Sequence, residues 1–283
     1  MNMGEIIKDA VNYPLSDWKK IMILGIIIFI TGITSIFMSF GATNIYLISL
    51  LTVVGFLVGF LVNGYMFRII RYSLETKSEI PQFDNLIHMG IDGIKVFIVF
   101  VVYSIPVILI ISVSTLVFFD SGSVLTLESL GLDPWNFLIN SLNSVILQGI
   151  MSFIGILDYL SLVMPEGIFA VVIGMLYLII ITPLFLVAIA NMAYYDGEFK
   201  SAFKFEEILN EIRSIGWLNL LKWYVTTGIF FLTILVIIST VVVYIFSLVH
   251  LGVLGEILIS LIVTPYFYMY FARSVALYYM PDE

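Results

Sequence analysis

The chain has 283 residues, 61% of them hydrophobic and only 11% charged, with a mean hydropathy of +1.12 and a net charge of -8. A soluble domain carries about one quarter charged residues, so this composition excludes a soluble enzyme and indicates an integral membrane protein. The sequence has no cysteine, which excludes disulfides, a thiolate nucleophile and a thiolate metal site.

Six apolar stretches are long enough to span a bilayer, since each is near the roughly 20 residues that a tilted helix needs. They lie at about 21–40, 45–67, 96–118, 167–194, 223–249 and 256–278. The first is too long for the core of a signal peptide and no clear cleavage site follows it, so we interpret it as an uncleaved span. These stretches predict an all-α polytopic membrane protein that forms one domain, 1–283.

All 12 Lys and Arg residues fall on one side of this six-span arrangement. They occupy the N-terminal segment, the second and fourth connections and the C-terminal end. The positive-inside rule therefore predicts a multi-pass plasma-membrane protein with both ends in the cytoplasm. The acidic residues do not separate in this way; those predicted outside are Asp120, Glu128, Asp133, Asp158, Glu166 and Glu256.

The segment 135–164 is the ambiguous part of the topology. Its polar residues, among them Asn136, Asn140 and Asn143, recur at helical spacing, which favours an extracellular amphipathic or re-entrant segment over a full span. A full span here would also place the basic residues of the fourth connection outside the cell. Two short crossings are the alternative.

A short amphipathic stretch precedes each odd-numbered span, on the predicted cytoplasmic side. The three stretches are "EIIKDAVN" from Glu5, "NLIHMGID" from Asn85 and "EILNEIRS" from Glu207. Their apolar faces consist of Ile6, Ile7 and Ala10 in the first, Leu86, Ile87 and Ile91 in the second, and Ile208, Leu209 and Ile212 in the third. This pattern predicts three helices that lie at the membrane interface.

Each stretch forms a hairpin unit with its outgoing and returning spans, and the unit occurs three times, at about 3–72, 83–195 and 205–279. All three units begin on one side, which predicts parallel repeats around a pseudo-threefold axis along the membrane normal. The unit ends "GYMFRIIRY", "VAIANMAYY" and "MYFARSVAL" align Arg68, Asn191 and Arg273. The alternative is that any six-span protein with amphipathic linkers looks repetitive.

Three stretches carry a resemblance to a known family: "IPQFDNLIHMGIDGIKVFIV" (80–99), "YYDGEFKSAFKFEEILNEIRSIGW" (194–217) and "PYFYMYFARSVALYY" (265–279). They resemble an archaeal family of six-span membrane proteins that is known only as a domain of unknown function. More remotely, the layout is similar to the membrane domains attached to some glycerophosphodiester phosphodiesterases. The catalytic barrel of those enzymes has no room in this chain, so the resemblance does not imply their activity.

Small and proline residues in the spans favour packing roles. Gly55, Gly59 and Asn63 are spaced by four and share one helix face, which predicts close helix packing more strongly than a ligand site. The prolines at 106, 183 and 265 lie inside spans, so we expect helix kinks at Pro106, Pro183 and Pro265. A kink of this kind opens the helix either for packing, the favoured interpretation, or at a binding site.

Three polar residues lie near the inner ends of the returning spans. Arg68 and Arg273 are expected either to extend to the interface or to converge with Asn191. Convergence around the axis would make a basic pocket for a lipid phosphate or another anion. No Asp, Glu, Lys or His lies near the middle of a predicted span, which disfavours a proton relay or an ion-coupled carrier.

Two further groups of side chains are candidates for a site. Asp84, His88 and Asp92 are spaced by four on the second amphipathic stretch, where they form a weak candidate for a divalent-metal site or a solvated polar face. The tyrosines of the last span are typical of an aromatic membrane anchor rather than a cofactor site. They are Tyr266, Tyr268, Tyr270, Tyr278 and Tyr279.

The sequence supports three hypotheses about function. The leading one is a non-enzymatic module that organises lipids or serves as a scaffold or subunit, because no catalytic pattern is present. The second is a carrier or flippase for a lipid-like or anionic amphiphile, and the third is a membrane-embedded metalloenzyme. We expect membrane lipids as partners, with a protein partner or self-association as alternatives, and neither nucleic acid nor a cofactor.

Overall fold

The protein is all-helical throughout the residues that a computed structural model describes, 3–41, 43–118 and 167–280. The predicted re-entrant segment 135–164 lies outside the described residues. The helices are α1 Met3–Leu15, α2 Trp18–Thr31, α3 Ile33–Ser39, α4 Ile45–Leu74, α5 Leu86–Phe118, α6 Gly167–Tyr194, α7 Phe205–Ile215, α8 Trp217–Leu248, α9 Gly252–Leu258 and α10 Thr264–Tyr279. A short 3₁₀ helix, Phe199–Phe203, precedes α7, and a π-helix, Ile259–Val263, joins α9 to α10.

Four helical stretches within the described ranges are long and apolar enough to cross a membrane. They are Ile45–Leu74, Leu86–Val107, Trp217–Leu248 and Gly252–Tyr279. The first predicted span, 21–40, is divided between α2 and α3, and the fourth coincides with α6, of which Ile179–Tyr194 forms a shorter apolar helix. The structure thus has apolar helices compatible with a membrane protein, and six spans stay a prediction.

The break in the first predicted span lies at Gly32. Its ψ of 5° departs from the helical value, and its backbone N–H donates to the Ile28 carbonyl at 3.2 Å to end α2. The Thr31 hydroxyl donates to the same carbonyl at 2.6 Å. An apolar run that looks continuous in sequence therefore forms two shorter helices.

The chain divides into two compact units, Met1–Val96 with Leu186–Glu283, and Phe97–Phe185. In the second unit, the Phe185 ring packs against the rings of Phe100 and Tyr103, with centroids 5.9 and 6.1 Å away. The first unit contains α1 to α4, α7 to α10 and all the polar residues considered above as site candidates. A single domain stays a prediction.

Helix α10 forms the core of the first unit. Every residue from Phe267 to Leu277 is buried, and α10 packs against α1, α2, α4 and α8. The prediction of an aromatic membrane anchor was therefore wrong for Tyr270, which is 1% exposed, and for Tyr268 and Tyr279, which are also buried. A ring that is packed between helices does not contact lipid headgroups, whereas the ring of an anchoring tyrosine does.

The amphipathic helices α1 and α7 cover the bundle with their apolar faces. Ile6 and Ala10 of α1 are buried, as are Ile208 and Ile212 of α7, so these faces contact protein. The second stretch behaves differently: it is the first part of α5, and its Leu86, Ile87 and Ile91 are exposed. The prediction of a separate second interfacial helix was wrong, because no residue before 96 interrupts the helix.

Candidate functional site

The three residues that the repeat aligns do not share a partner in the structure. Arg68, near the end of α4, donates from Nη1 to the carbonyl oxygens of Gln82 and Asp84, both at 2.9 Å, and forms an ion pair with the Asp84 carboxylate. Both partners lie in the segment that leads into α5. The Arg68 guanidinium therefore joins the end of one predicted hairpin to the start of the next.

Asn191, near the end of α6, makes the corresponding connection after the second hairpin. Its side-chain nitrogen donates to the Ser201 carbonyl at 2.9 Å, in the segment that leads into α7. Its side-chain oxygen accepts from the Tyr279 hydroxyl at 2.8 Å. With both amide groups bonded and only 4% of the residue exposed, Asn191 is a satisfied buried side chain.

Arg273 of α10 connects to α1, the leading helix of the first hairpin. Its Nε donates to the Asp9 carboxylate at 2.8 Å, its Nη1 donates to the Lys77 carbonyl at 3.0 Å, and its guanidinium lies over the Tyr13 ring at 5.0 Å. The residue is only 6% exposed. Its side chain is held by α1 and by the loop after α4, and where it lies relative to a membrane interface stays a prediction.

The Arg68, Asn191 and Arg273 side chains are thus engaged with three different segments. The described contacts give them no common ligand, so the basic pocket around an axis receives no support from this geometry. Each returning helix is instead bonded to the leading segment of a hairpin, and the third is bonded to that of the first. This cyclic pattern was not visible in the sequence, because most of the acceptors are backbone carbonyls.

The predicted metal candidates are divided between two separate groups of ion pairs. Asp84 lies before α5 rather than on it and pairs with Arg68, while Asp92 lies 3.3 Å from His88 Nδ1 and 3.1 Å from Lys95 Nζ. Within the described residues, no group of three His, Asp or Glu side chains is placed to hold a metal ion. The expectation that Asp84, His88 and Asp92 share a helix face is therefore wrong for Asp84.

Asp92 belongs to a structural network that the sequence did not reveal. Its carboxylate is buried, with 5% of the residue exposed, and Lys95 bridges it to the Gly197 carbonyl at 3.0 Å. Gly197 has φ of 81°, a left-handed conformation that glycine adopts without strain and that ends the turn after α6. The spacing of Asp92 and Lys95 by three was a usable signal for the ion pair, but the third partner is 102 residues away.

The small-residue stripe on α4 lies in a helix interface. Gly55, Gly59 and Asn63 are all buried, and a Cβ on Gly55 would lie 2.7 Å from the Thr31 carbonyl oxygen of α2. The Asn63 amide nitrogen is buried and has no hydrogen-bond partner among the described residues. The stripe therefore brings α2 and α4 close together, as the packing interpretation requires.

A second glycine contact, which the sequence analysis missed, joins α4 to α5. A Cβ on Gly64 would lie 1.8 Å from the Met89 carbonyl oxygen, and a Cβ on Gly93 would lie 1.8 Å from that of Phe60. Such distances leave no space for a side chain, so the two backbones are in direct contact. The signal was available as glycines on both sides of one connection.

The three prolines have different local effects. Pro106 and Pro183 lie inside α5 and α6, which continue as α-helix through them. Pro265 follows the π-helix Ile259–Val263, so the helix opens where the missing N–H leaves the Leu261 carbonyl without its usual donor. That carbonyl oxygen lies 2.0 Å from the position of a Cβ on Gly25, which makes the opening a contact surface for α2.

A cleft of about 450 Å³ lies between α1, the loop after α4 and α10. One face of α1 lines it with Glu5, Lys8, Asp9 and Asn12, and Arg273 lies opposite. Tyr13, Ser16 and Ser78 complete the lining. The residues of α1 recur at a spacing of three and four, so a single helix face provides them all.

The cleft contains two basic and two acidic side chains. Glu5, Lys8, Asp9 and Arg273 together carry no net charge at neutral pH. Burial raises the pKa of the Tyr13 hydroxyl well above its ordinary value, more than the positive charge of Arg273 lowers it, so this hydroxyl stays neutral. The sequence showed the polar face of α1 but not the helix that faces it.

Comparison with known proteins adds a family and nothing more specific. A model of the family described as "Protein of unknown function (DUF4013)" matches residues 47–244, which is most of the chain. The chain belongs to the DUF4013 family. This confirms the predicted resemblance to a domain of unknown function; the archaeal origin and the remoter similarity to phosphodiesterase membrane domains stay predictions. No curated protein and no solved structure matches this DUF4013 chain.

Proposed function

We propose that this DUF4013 protein is a non-enzymatic membrane module that organises lipids. The observation that carries the proposal is that polar side chains near the helix ends form hydrogen bonds within the protein. Arg68, Asn191 and Arg273, the residues best placed for chemistry near the membrane, bond to the protein itself. Groups with this degree of internal hydrogen bonding stabilise an architecture and have little capacity left for acid–base work.

The exposed surface of α4 supports a role in contact with lipid. Leu50, Val53 and Leu57 are more than half exposed and recur at a spacing of three and four, so they form one apolar face. Water would disfavour such a face, whereas the hydrocarbon of a bilayer accommodates it. A scaffold or subunit role, in which a partner protein covers part of this face, belongs to the same proposal.

The same proposal includes the plasma membrane as location, six spans, and both ends in the cytoplasm. The asymmetry of all 12 basic residues supports this orientation. The cyclic bonding of each returning helix to the leading segment of a hairpin supports a threefold repeat. A carrier or flippase and a metalloenzyme are the competing functions, and a single preparation of the protein distinguishes them.

The experiment uses the full chain purified in mild detergent and reconstituted into vesicles. Native mass spectrometry is expected to detect retained phospholipid, and a fluorescent phospholipid is expected to cross the vesicle bilayer no faster than in protein-free vesicles. Metal analysis is expected to give less than one divalent ion per chain. Faster lipid crossing would overturn the proposal in favour of the carrier, and a bound metal together with substrate turnover would overturn it in favour of the enzyme.

A further inference from the structure

We propose that two copies of this chain associate side by side in the membrane through one face of α8. The face, termed the α8 seam, consists of three threonines, Thr226, Thr233 and Thr240, and three large apolar residues, Phe230, Ile237 and Tyr244. The inference rests on the proposed function, because it takes α8 to cross the bilayer, and it names a partner for the scaffold role.

The six residues have the spacing of a helix–helix seam. They recur at steps of four, three, four, three and four, which is the heptad pattern of residues that face a partner helix. Phe230, Ile237 and Tyr244 are 39%, 56% and 62% exposed, and the three threonines are exposed too. At 1.5 Å per residue the seam is about 28 Å long, close to the roughly 30 Å of the hydrocarbon core. The α8 seam can therefore meet a partner helix over most of the depth of a bilayer.

The threonine hydroxyls of the α8 seam make no hydrogen bond within the part of the chain that the structure describes. Hydroxyls in apolar helices usually donate to a carbonyl of the preceding turn, as Ser247 does to Tyr244 at 2.7 Å and Ser104 does to Phe100 at 2.8 Å. Acyl chains offer no acceptor, so a hydroxyl that stays unpaired in hydrocarbon costs free energy. A helix that carries hydrogen-bonding groups therefore fits the α8 seam better than lipid does.

A second copy of the chain supplies the matching surface by symmetry. The charge asymmetry supports the same orientation for every copy, so two neighbouring α8 helices run parallel. In a parallel pair with a two-fold axis, each seam position faces its own counterpart, so threonine meets threonine and a large apolar residue meets its equal. Each hydroxyl is both donor and acceptor and can pair with an identical hydroxyl. No charged residue lies between Lys222 and the end of α8, so no like charges oppose each other along the pair.

Disulfide cross-linking tests the position of the interface, since the chain has no cysteine of its own. Full-length Thr233→Cys and Ile238→Cys are reconstituted separately into phospholipid vesicles at a low ratio of protein to lipid and oxidised. Both positions are exposed on α8, but only Thr233 belongs to the seam. We expect roughly fivefold more covalent dimer from Thr233→Cys, because a disulfide forms only between positions that face each other closely. Equal yields, or more dimer from Ile238→Cys, would overturn the α8 seam.

Removal of the hydroxyls tests what holds the pair together. Thr226→Val, Thr233→Val and Thr240→Val are combined in one variant, and the matched control combines Thr226→Ser, Thr233→Ser and Thr240→Ser, which keeps the hydroxyls. Association is measured by energy transfer between copies labelled at Ser214→Cys, an exposed position on α7, while the protein is diluted with lipid. We expect the valine variant to associate roughly tenfold more weakly and the serine variant to change little. A valine variant that associates as tightly as the unaltered protein would contradict the part given to the hydroxyls.

The outcomes separate this inference from the proposed function. Protein that retains phospholipid but shows no energy transfer between copies would overturn the α8 seam and leave the proposed function standing. Labelling of Thr233→Cys in vesicles by a membrane-impermeant maleimide would place this part of α8 in water and overturn both. Because the altered side chains are exposed, the variants are expected to fold, which thermal unfolding in detergent verifies.

Discussion

Arg273 joins two segments that lie 264 residues apart in the chain, and it does so with a buried positive charge. A charge at this depth costs free energy unless opposite charge and hydrogen bonds compensate it. Asp9, the Lys77 carbonyl and the Tyr13 ring supply that compensation. The residue therefore specifies which segment may occupy the space beside α10, since an apolar segment would leave the guanidinium unpaired.

The hydrogen bond between Asn191 and Tyr279 can be tested by removing a single oxygen atom. Replacing Tyr279 by Phe removes the hydroxyl that donates to the Asn191 side-chain oxygen and leaves this buried acceptor unpaired. We expect Tyr279→Phe to lower the free energy of unfolding by about 1–3 kcal/mol, measured by denaturant unfolding in detergent.

The neighbouring Tyr278 is the matched control for this change. Its hydroxyl makes no hydrogen bond within the part of the chain that the structure describes, and its ring stacks on Trp223 at 4.6 Å. Tyr278→Phe keeps the ring and is expected to change stability little. An equal loss of stability in both variants would contradict the role given to the bond between Tyr279 and Asn191.

The sequence showed which polar residues lie within apolar runs, but it did not show their hydrogen-bond partners. Arg68, Asn191 and Arg273 stand out because each is polar within an apolar run. Most of their acceptors are backbone carbonyls, such as those of Gln82 and Ser201, and a carbonyl leaves no mark on the residue type. The convergence of the three on an axis was therefore a reasonable expectation that local geometry does not support.

Among whole elements, the α4–α5 pair shows how closely two helices of this protein approach each other. The Met89 carbonyl occupies the space where a Cβ on Gly64 would be, and the Phe60 carbonyl does the same at Gly93. Close approach of this kind increases van der Waals contact and allows weak hydrogen bonds from Cα, which drive helix association where the hydrophobic effect is absent.

Alanine at one of these glycines is expected to separate the two helices. Gly64→Ala would place a Cβ 1.8 Å from the Met89 carbonyl oxygen, and since the obstacle is backbone, the helices themselves must move. We expect a loss of several kcal/mol of stability or a failure to yield monodisperse protein, as measured by size exclusion and thermal unfolding.

Gly90, which lies in α5 between Met89 and Gly93, is the control for this change. A Cβ there would lie 3.6 Å from a methyl carbon of Leu61, which is an ordinary contact. Gly90→Ala is expected to preserve or slightly raise stability, because alanine favours helix more than glycine does. If Gly64→Ala proved as stable as Gly90→Ala, the close crossing of α4 and α5 would be wrong.

Helix boundaries were predictable where the chain marks them chemically. Asp17 caps α2 by accepting from the backbone N–H of Lys19 and Lys20, and Gly216 with φ of 89° separates α7 from α8. No such mark lies between the second amphipathic stretch and its span, so α5 runs through both. The periodicity of polar and apolar residues predicts a helix over this stretch, but periodicity does not show where one helix becomes two.

For the whole molecule, composition alone predicted an all-helical membrane protein, and the apolar helices agree with it. The orientation in the membrane is a separate matter, since only the distribution of charge bears on it. Which helices cross the bilayer depends on their contacts with lipid, and contacts within the protein do not show this. The sequence therefore predicts which segments are helical better than it predicts how many of them cross the membrane.

The absence of cysteine makes the orientation directly measurable. Single cysteines are introduced by Ser214→Cys in α7, predicted inside, and His250→Cys between α8 and α9, predicted outside; both positions are exposed. A membrane-impermeant maleimide added to intact cells is expected to label His250→Cys only, and both variants after permeabilisation. Labelling of Ser214→Cys in intact cells would reverse the predicted orientation.

During synthesis, α1 leaves the ribosome long before α10, the helix that it packs against. Until α10 is present, α1 lacks the helix that it mainly packs against, and Asp9 lacks its arginine. The earliest helix of the bundle is therefore among the last to find its place, and it must remain accessible at the membrane surface in the meantime. Chains halted before α10 would display this unburied helix to proteases and chaperones, which provides a cell with a means of recognising incomplete copies.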